Sequence, residues 1–383
     1  MARLGDVCDI LNGFAFKSEQ YVDDGIRIIR IANVQKGYIE DSTPVFYPFD
    51  SREAKKYSLE EGDMLMSLTG NVGRVAKLSK EFLPAALNQR VACLRIKDGV
   101  TLDKAFLFNL LNSDYFEQQC IAASKGVAQK NMSTEWLKEY EIPMFPMEQQ
   151  KVIASVLDKV TELISLRKEQ LAKLDQLVKS RFIELFGTEA ELDRWSCCTI
   201  GDVADVCVGV VIKPTQYYTD RGVPAFRSLN IGEMHVKDAD WVYFSEEGHQ
   251  KNQKSVIRKN DVLVVRSGAP GTACVATEKY EGYNAVDIII AHPDNSKVNS
   301  VFLAAYTNMP HGMTQIREKT GGAAQQHFNV GGYKAMCLIM PPMELQEQFA
   351  AFVEQTDKSK LAIQQSLDKL ELLKKSLMQE YFG

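Results

Sequence analysis

The fold is decided by residues 146–187, PMEQQKVIASVLDKVTELISLRKEQLAKLDQLVKSRFIELFG, in which no glycine or proline lies between the two ends. Apolar residues recur there on alternating three- and four-residue steps, the spacing of the a/d seam of a coiled-coil helix. The seam comprises Leu157, Val160, Ile164, Leu171, Leu174, Val178 and Leu185, with interruptions at Arg167 and Arg181. Gly187 is a typical helix stop. About 39 residues at ~1.5 Å rise predict a helix ~58 Å long.

The same stretch returns 196 residues later as residues 342–383, PMELQEQFAAFVEQTDKSKLAIQQSLDKLELLKKSLMQEYFG. Its seam comprises Val353, Ile363, Leu367, Leu370, Leu377 and Tyr381, with interruptions at Thr356, Lys360 and Lys374. An ordinary amphipathic helix lies on its own domain, but these helices are longer than a small domain is wide. We therefore expect the two helices to pair with each other.

The repeat extends through the rest of the chain. Leu4-Gly5-Asp6-Val7 returns as Ile200-Gly201-Asp202-Val203, and Gly62-Asp63-Met64-Leu65 returns as Asn260-Asp261-Val262-Leu263. The period is too long for a solenoid, so each copy is a domain-sized unit. Such a chain has internal pseudo-twofold symmetry and suits a partner whose backbone has twofold symmetry.

Each long helix follows a segment of mixed character, rich in turn residues. Residues 26–31, 64–68 and 262–265 have the β-branched or apolar character of strands, and residues 106–111 and 302–306 resemble short helices. The fold class is therefore α/β, with two similar mixed globular domains. The link 187–199 spans at most ~40 Å, less than one helix, so the second domain is expected at the far end of helix one. The second helix then returns antiparallel and makes a two-helix spacer.

Composition describes a soluble globular protein that we expect in the cytoplasm, since no apolar run reaches the ~18 residues of a membrane helix and no signal peptide precedes the repeat. The eight cysteines have no C-x-x-C spacing and are expected to be unpaired, small buried residues. The five histidines show no metal-ligand spacing.

The charge pattern bears on nucleic-acid binding. The net charge of −5 argues against a polyanion, but residues 52–97 carry nine Lys and Arg against five Asp and Glu. Residues 251–266 carry five against one at a comparable position of the second copy. A single basic cluster is as readily a solvated face as a binding surface, and its recurrence favours a functional surface.

A G-x-x-G turn follows a predicted strand in each copy, at residues 70–73 and 268–271. Such a turn lets a backbone approach a phosphate, although alone it is a weak signal. Arg, Lys, Asn and Gln side chains nearby are the types that contact phosphates and base edges. The predicted DNA-binding residues are Lys17, Arg30, Asn71, Arg74, Gln89, Arg90, Lys125, Gln129, Lys130, Lys213, Arg227, Arg266, Ser267, Gln325 and Gln326.

Catalytic motifs are missing from the sequence. There is no G-x-x-x-x-G-K-[ST] loop, no adenine methyltransferase motif pair, no metal cluster and no triad spacing. Met340-Pro341-Pro342-Met343 lacks the acid or amide and the aromatic residue that the methyltransferase motif needs. We therefore expect no catalytic residues, no metal site and no cofactor in this chain.

The chain resembles the specificity subunits of type I restriction-modification enzymes over essentially its whole length. The resemblance rests on motifs in a fixed order, in duplicate. In the first copy they are Gly25-Ile26-Arg27-Ile28-Ile29-Arg30, Gly62-Asp63-Met64-Leu65, Gly126-Val127-Ala128-Gln129 and Ile142-Pro143-Met144-Phe145-Pro146-Met147-Glu148, followed by the helix. In the second copy the last two return as Gly322-Ala323-Ala324-Gln325 and Leu338-Ile339-Met340-Pro341-Pro342-Met343-Glu344.

This resemblance implies target-recognition domains at 1–147 and 188–343, and conserved spacer helices at 148–187 and 344–383. Each head would read one half of a bipartite double-stranded DNA target. Two modification subunits would methylate the adenines with S-adenosylmethionine, and restriction subunits would supply ATP- and Mg-dependent translocation and cleavage. The alternative is a coiled-coil protein–protein adaptor without DNA binding, which the acidic net charge favours.

The two copies differ where they would meet DNA. Thr272 stands where the first copy has Arg74, and we align Ala285-Val286 with Gln89-Arg90. The expected target is therefore asymmetric.

Overall fold

The computed structural model of the chain describes residues 1–124, 131–320 and 327–383. These residues form two units. Unit 1 comprises Met1–Lys168 and Gln365–Gly383, and unit 2 comprises Glu169–Gln364. Both units combine antiparallel and mixed sheets with helices, so the predicted mixed α/β class is confirmed.

Unit 1 begins with nine short strands and five helices. The strands are β1 Ala2–Arg3, β2 Cys8–Asn12, β3 Ile26–Ile29, β4 Phe46–Tyr47, β5 Met64–Ser67, β6 Val75–Lys77, β7 Ala85–Leu87, β8 Val91–Ile96 and β9 Glu141–Ile142. The helices are α1 Leu4–Val7, α2 Arg52–Lys56, α3 Lys104–Leu111, α4 Asp114–Ala123 and α5 Thr134–Glu139, and the long helix α6 Met147–Phe186 follows.

Unit 2 repeats this order with additional short strands. The strands are β10 Cys197–Thr199, β11 Ala204–Val208, β12 Tyr218–Thr219, β13 Val223–Phe226, β14 Ile231–Gly232, β15 His235–Val236, β16 Val242–Phe244, β17 Val262–Val265, β18 Ala273–Val275, β19 Asn284–Ala285, β20 Ile288–Pro293 and β21 Cys337–Ile339. The helices are α7 Ile200–Val203, α8 Glu246–Lys251, α9 Ser300–Asn308, α10 Pro310–Lys319 and α11 Val330–Lys334, and the long helix α12 Met343–Phe382 ends the chain.

The central sheet has the same topology in both units. Its strand order is β2-β8-β5-β6 in unit 1 and β11-β20-β17-β18 in unit 2, antiparallel throughout. A second sheet has β3 parallel to β7 in unit 1, and β13 parallel to β19 in unit 2. These registers pair Ile29 with Leu87 and Phe226 with Ala285, and so they align the two copies residue by residue.

Each long helix contributes apolar residues to the core of both units. In unit 1, Leu157 of α6 and Phe382 of α12 belong to the cluster that contains Phe106 of α3. In unit 2, Phe186 of α6 contacts both Phe302 of α9 and Phe349 of α12. The start of α6 thus packs with the end of α12, and the end of α6 with the start of α12. The two helices run antiparallel, as predicted.

The apolar residues of both predicted seams are sheltered from solvent. All seven apolar positions of the first seam and all six of the second are buried or half-buried. Ion pairs link the helices as well, between Lys168 and Glu371 at 2.9 Å in unit 1 and between Lys360 and Asp175 at 2.7 Å in unit 2.

A buried glutamine joins the start of each long helix to its own domain. The Gln150 amide oxygen accepts from the Asp103 backbone N–H at 2.8 Å, and its amide nitrogen donates to the Phe145 carbonyl at 2.7 Å. Gln346 does the same for the Asn299 N–H and the Pro341 carbonyl, both at 2.9 Å. Both side chains are almost completely buried.

The expectation of eight unpaired cysteines is wrong for one pair. Cys197 and Cys337 form a disulfide, because the antiparallel pairing of β10 with β21 brings their Cα atoms within 6.2 Å across 140 residues of sequence. The other six are free, and Cys8, Cys93, Cys120 and Cys274 are buried. Among the described helices, none is both long and apolar enough to cross a membrane.

Candidate nucleic-acid interface

The two G-x-x-G turns are the tips of equivalent hairpins, β5–β6 and β17–β18. The second glycine of each turn packs against its own domain: a Cβ on Gly73 would lie 2.8 Å from Cys120 Cβ, and one on Gly271 would lie 2.6 Å from Ile316 Cδ1. The first glycine faces open space, with nothing nearer than 4.0 Å to a Cβ on Gly70 and nothing within 4 Å at Gly268. Both first glycines have positive φ, which glycine adopts without strain. Each turn therefore presents accessible backbone.

Hydrogen bonds gather other loops around the first turn. The Leu68 N–H donates to the Arg90 carbonyl at 3.0 Å, and the Gln89 N–H donates to the Phe14 carbonyl at 2.9 Å. The Arg74 guanidinium donates to the Gln35 side chain. We call the resulting surface, formed by residues 13–17, 30–35, 68–74 and 88–90, tip 1.

Tip 1 brings together six of the predicted DNA-binding residues. Four of them are exposed and make no side-chain hydrogen bond or ion pair with any residue that the structure describes: Lys17, Asn71, Gln89 and Arg90. Arg74 is half-buried and held by Gln35. Arg30 is also half-buried and donates to the Thr43 carbonyl at 2.7 Å, while its Nε has no hydrogen-bond partner among the described residues.

Tip 2 is formed by residues 209–213, 227–232, 266–272 and 286–287 and is built in the same way. More of its polar side chains are paired with other residues of unit 2. Arg266 pairs with Asp287 at 2.7 Å and donates through Nε to the Phe328 carbonyl at 3.1 Å. Ser267 Oγ lies 2.8 Å from His327 Nδ1. Arg227 donates to the Asp240 carbonyl at 2.5 Å. Of the predicted residues in tip 2, Lys213 is the exposed one whose side chain has no partner among the described residues.

The register corrects the sequence alignment of the tips. Leu87 corresponds to Ala285, so Asn88 corresponds to Val286. Each of these two residues forms a parallel bridge with the equivalent loop of its own unit, Asn88 with Phe14 and Val286 with Val210. The Asp287 N–H then donates to Val210 as the Gln89 N–H does to Phe14. Asp287 is therefore the counterpart of Gln89, and Arg90 has none. The alignment of Ala285-Val286 with Gln89-Arg90 is wrong by two residues, because the offset between the copies grows from 196 at Phe14 and Val210 to 198 at Leu87 and Ala285.

Five predicted residues lie outside the described parts of the chain: Lys125, Gln129, Lys130, Gln325 and Gln326. The described residues that follow each gap do lie at the tips. Asn131 forms a bridge with Thr69, and the Phe328 N–H donates to the Arg266 carbonyl at 3.0 Å.

An asparagine three residues after each predicted arginine was missed by the sequence analysis. Asn33 accepts from the Arg30 N–H at 2.8 Å and donates to the Glu40 carbonyl at 2.8 Å. Asn230 accepts from the Arg227 N–H at 2.9 Å and donates to the Ala239 carbonyl at 2.7 Å. Both are buried and hold the loop that carries the arginine. The duplicated Arg-x-x-Asn spacing was the available signal.

A buried aspartate lies at the other end of each hairpin and has a different partner in each unit. Asp63 receives two hydrogen bonds from Arg95, at 2.8 and 2.7 Å. In unit 2 the corresponding Asp261 lies 2.6 Å from His292 Nδ1. The hydrogen bond to Asp261, with a smaller contribution from Cys207, raises the pKa of His292 to about 9. The His292 imidazole is therefore charged at neutral pH.

The chain is similar to known proteins of one family. Residues 1–176 match the family model described as "Type I restriction modification DNA specificity domain". The chain is 25% identical to the Type I restriction enzyme EcoBI specificity subunit of Escherichia coli, over 92% of this chain and 78% of that protein. It is 22% identical to the StySPI specificity subunit of Salmonella potsdam, over 100% and 88%.

A solved structure has the same fold. The crystal structure of a type I restriction-modification S subunit from M. genitalium superimposes with a TM-score of 0.60 at 17% identity, over 100% of this chain and 95% of that one. Two repeated mixed α/β units and two long antiparallel helices are thus the fold that the chain shares with that S subunit. The first copy thus carries the specificity domain of type I restriction-modification enzymes, and nearly the whole chain is similar to specificity subunits of such enzymes, so the resemblance read from the sequence is confirmed.

Proposed function

We propose that this protein is the sequence-specific DNA-binding subunit of a type I restriction-modification system. It reads an asymmetric bipartite target, and it is a specificity subunit rather than a catalytic one. The observation that carries the proposal is the pair of tips, built on the same backbone with different side chains. In the parts of the chain that the structure describes, no group of His, Cys, Asp and Glu could hold a metal ion.

Tip 1 offers the chemistry that DNA requires. Exposed Arg90 and Lys17 can contact phosphates, while Asn71 and Gln89 can form paired hydrogen bonds with a base edge. Tip 2 presents Lys213 and neutralises Arg266 internally. A reader whose halves differ in this way recognises two different half-sites, so the target has no twofold symmetry.

The proposal assigns the heads to residues 1–147 and 188–343 and the spacer to residues 148–187 and 344–383. Each helix has 40 residues, or ~60 Å at 1.5 Å per residue. We propose that this length sets the gap between the half-sites. Two modification subunits would bring S-adenosylmethionine, and restriction subunits would bring ATP and Mg. The assembly would work in the cytoplasm.

The test begins with methylome sequencing of cells that express the chain with its modification subunit, which reports the target and both methylated adenines. Fluorescence anisotropy of the assembled complex on that DNA then measures affinity against salt concentration. A DNA reader loses affinity linearly on a log–log salt plot. A flat response, or equal affinity for scrambled DNA, would instead favour the protein adaptor.

A matched pair of variants locates the interface. Arg90→Ala removes an exposed charge from tip 1, whereas Lys80→Ala removes one from the turn beyond β6, at the opposite end of the sheet. We expect the first to weaken specific binding and the second to leave it unchanged. Equal effects would show that tip 1 is not the contact surface.

A further inference from the structure

Charged residues interrupt the helix seams, and most of them are neutralised. Arg181 pairs with Glu184 at 2.7 Å and lies over the Phe352 ring, and Lys360 pairs with Asp175 at 2.7 Å. Arg167 is also engaged. Lys374 differs from these three: it is half-buried and has no hydrogen bond or ion pair with any residue of the described chain. A lysine at an apolar position without a counter-charge needs an explanation.

Lys374 lines a cavity of about 270 Å³ in unit 1, with three other lysines and two carboxylates. The lining residues are Lys36, Asn112, Asp114, Ile164, Lys168, Glu371, Lys374, Lys375 and Met378. The four lysines against Asp114, Glu371 and Glu117, which pairs with Lys36 beside the cavity, leave a net charge of +1 in a protein whose total is −5.

The carboxylates of the cavity are already engaged. Lys36 lies 2.7 Å from Asp114 and 2.7 Å from Glu117, and Lys168 lies 2.9 Å from Glu371. Lys374 and Lys375 are left without a counter-charge in contact. Burial, and then the charge of Lys36, lower the pKa of Lys374. The cavity therefore holds excess positive charge at a cost in solvation.

The corresponding cavity of unit 2 has a different character. By the repeat, Val178 occupies the seam position of Lys374, and Phe182 that of Met378. That cavity, of about 380 Å³, has a mostly apolar floor that includes Phe349 and Val353. Its two lysines face three carboxylates, a net charge of −1 with His235 neutral. The positive cavity is thus specific to unit 1 and is not a requirement of the repeated fold.

We propose that the cavity lined by Lys36, Lys168, Lys374 and Lys375 binds a small phosphate-type anion. Lysine ammonium groups bind phosphates as strong point charges, and bonds between charged partners are the stronger class. The volume lies just below the ~300–1,000 Å³ typical of pockets for drug-sized ligands, so it suits orthophosphate or pyrophosphate better than a whole nucleotide. Lys36 directly follows Gln35 of tip 1, whereas the other three lysines lie on the long helices.

Isothermal titration calorimetry on the full chain at constant ionic strength tests the site, with inorganic pyrophosphate as the probe. We expect saturable binding that Lys374→Met weakens by about ten-fold, the effect of removing one charge-assisted hydrogen bond. Lys374→Arg keeps the charge and should retain binding. A titration with ADP separates the possible sources: affinity no higher than for pyrophosphate assigns the site to the inorganic anion, and higher affinity assigns it to a nucleotide phosphate.

The control is Lys369→Met, which removes the same charge from an exposed position of the same helix outside the cavity. It should bind pyrophosphate as the wild type does. Circular dichroism melting shows whether Lys374→Met is folded, and we expect it to melt no lower than the wild type, since methionine suits the seam. Absence of binding by the wild type at millimolar pyrophosphate, or equal binding by Lys374→Met, would overturn the proposal.

Discussion

Gln150→Leu is the sharpest test of how each long helix is joined to its domain. The substitution keeps the approximate size of the side chain but removes the acceptor for the Asp103 N–H and the donor to the Phe145 carbonyl. Asp103 is also the N-cap of α3, where its carboxylate accepts from the Phe106 N–H at 2.8 Å. The change therefore strikes the point where the first turn of α6 meets the start of α3.

The expected loss follows mainly from the Asp103 N–H and the Phe145 carbonyl, since the third hydrogen bond of Gln150, to the Thr101 carbonyl, is longer at 3.3 Å. A sheltered donor or acceptor without a partner costs ~1–3 kcal/mol, and leucine recovers part of this by apolar contact. We expect a net loss of about 3 kcal/mol. For a unit of this size that lowers the melting temperature by roughly 6–12 °C.

Differential scanning calorimetry of the full chain measures the effect, with Gln149→Leu as the control, because Gln149 is the exposed neighbour on the same helix. The control should change stability by less than about 0.5 kcal/mol. Hydrogen exchange at α3 and the first turn of α6 should rise in Gln150→Leu alone. If both variants melt together within 2–3 °C, roughly the shift of 1 kcal/mol, the glutamine does not secure this junction.

Three further outcomes are expected. In the folded protein the pKa of His292 is about 9, above its ordinary value of 6.5. Its bond to Asp261 therefore stabilises unit 2 fully below pH 6.5. As the pH rises through 9, up to ~3 kcal/mol of this folding stability is lost. His292→Arg, which copies the Asp–Arg pair of unit 1, should flatten that dependence in thermal melts across pH 6–10; an equal slope in both proteins would contradict this. Arg74→Ala and Arg90→Ala should each weaken specific DNA binding about ten-fold in anisotropy titrations of the complex, and wild-type affinity would remove them from the interface. Inserting one helical turn into both α6 and α12 should lengthen the methylated gap without changing either half-site, and an unchanged gap would mean that the helices do not set it.

Local periodicity made much of the architecture readable from sequence. The a/d spacing predicted both long helices and their buried face, because a helix places residues three and four apart on one side. The duplicated order of motifs predicted two similar α/β units, and short apolar runs located β3, β5 and β17. Two elements of tip 1 could be anticipated too, since the glycine turn follows one predicted strand and Arg30 lies at the end of another.

Pairings between distant segments were decided only by tertiary structure. Arg266 has the residue type of a phosphate contact, yet strand register places Asp287 beside it and uses its charge within the protein. Cys197 and Cys337 are 140 residues apart and become neighbours only because β10 pairs with β21. In the sequence, Lys374 is one of several charged residues that interrupt the helix seams. Only the packing around it shows that it lacks a counter-charge among the described residues. Sequence determines what a side chain can do through local chemistry and spacing, whereas its actual partner depends on which remote backbone the fold brings within hydrogen-bonding distance.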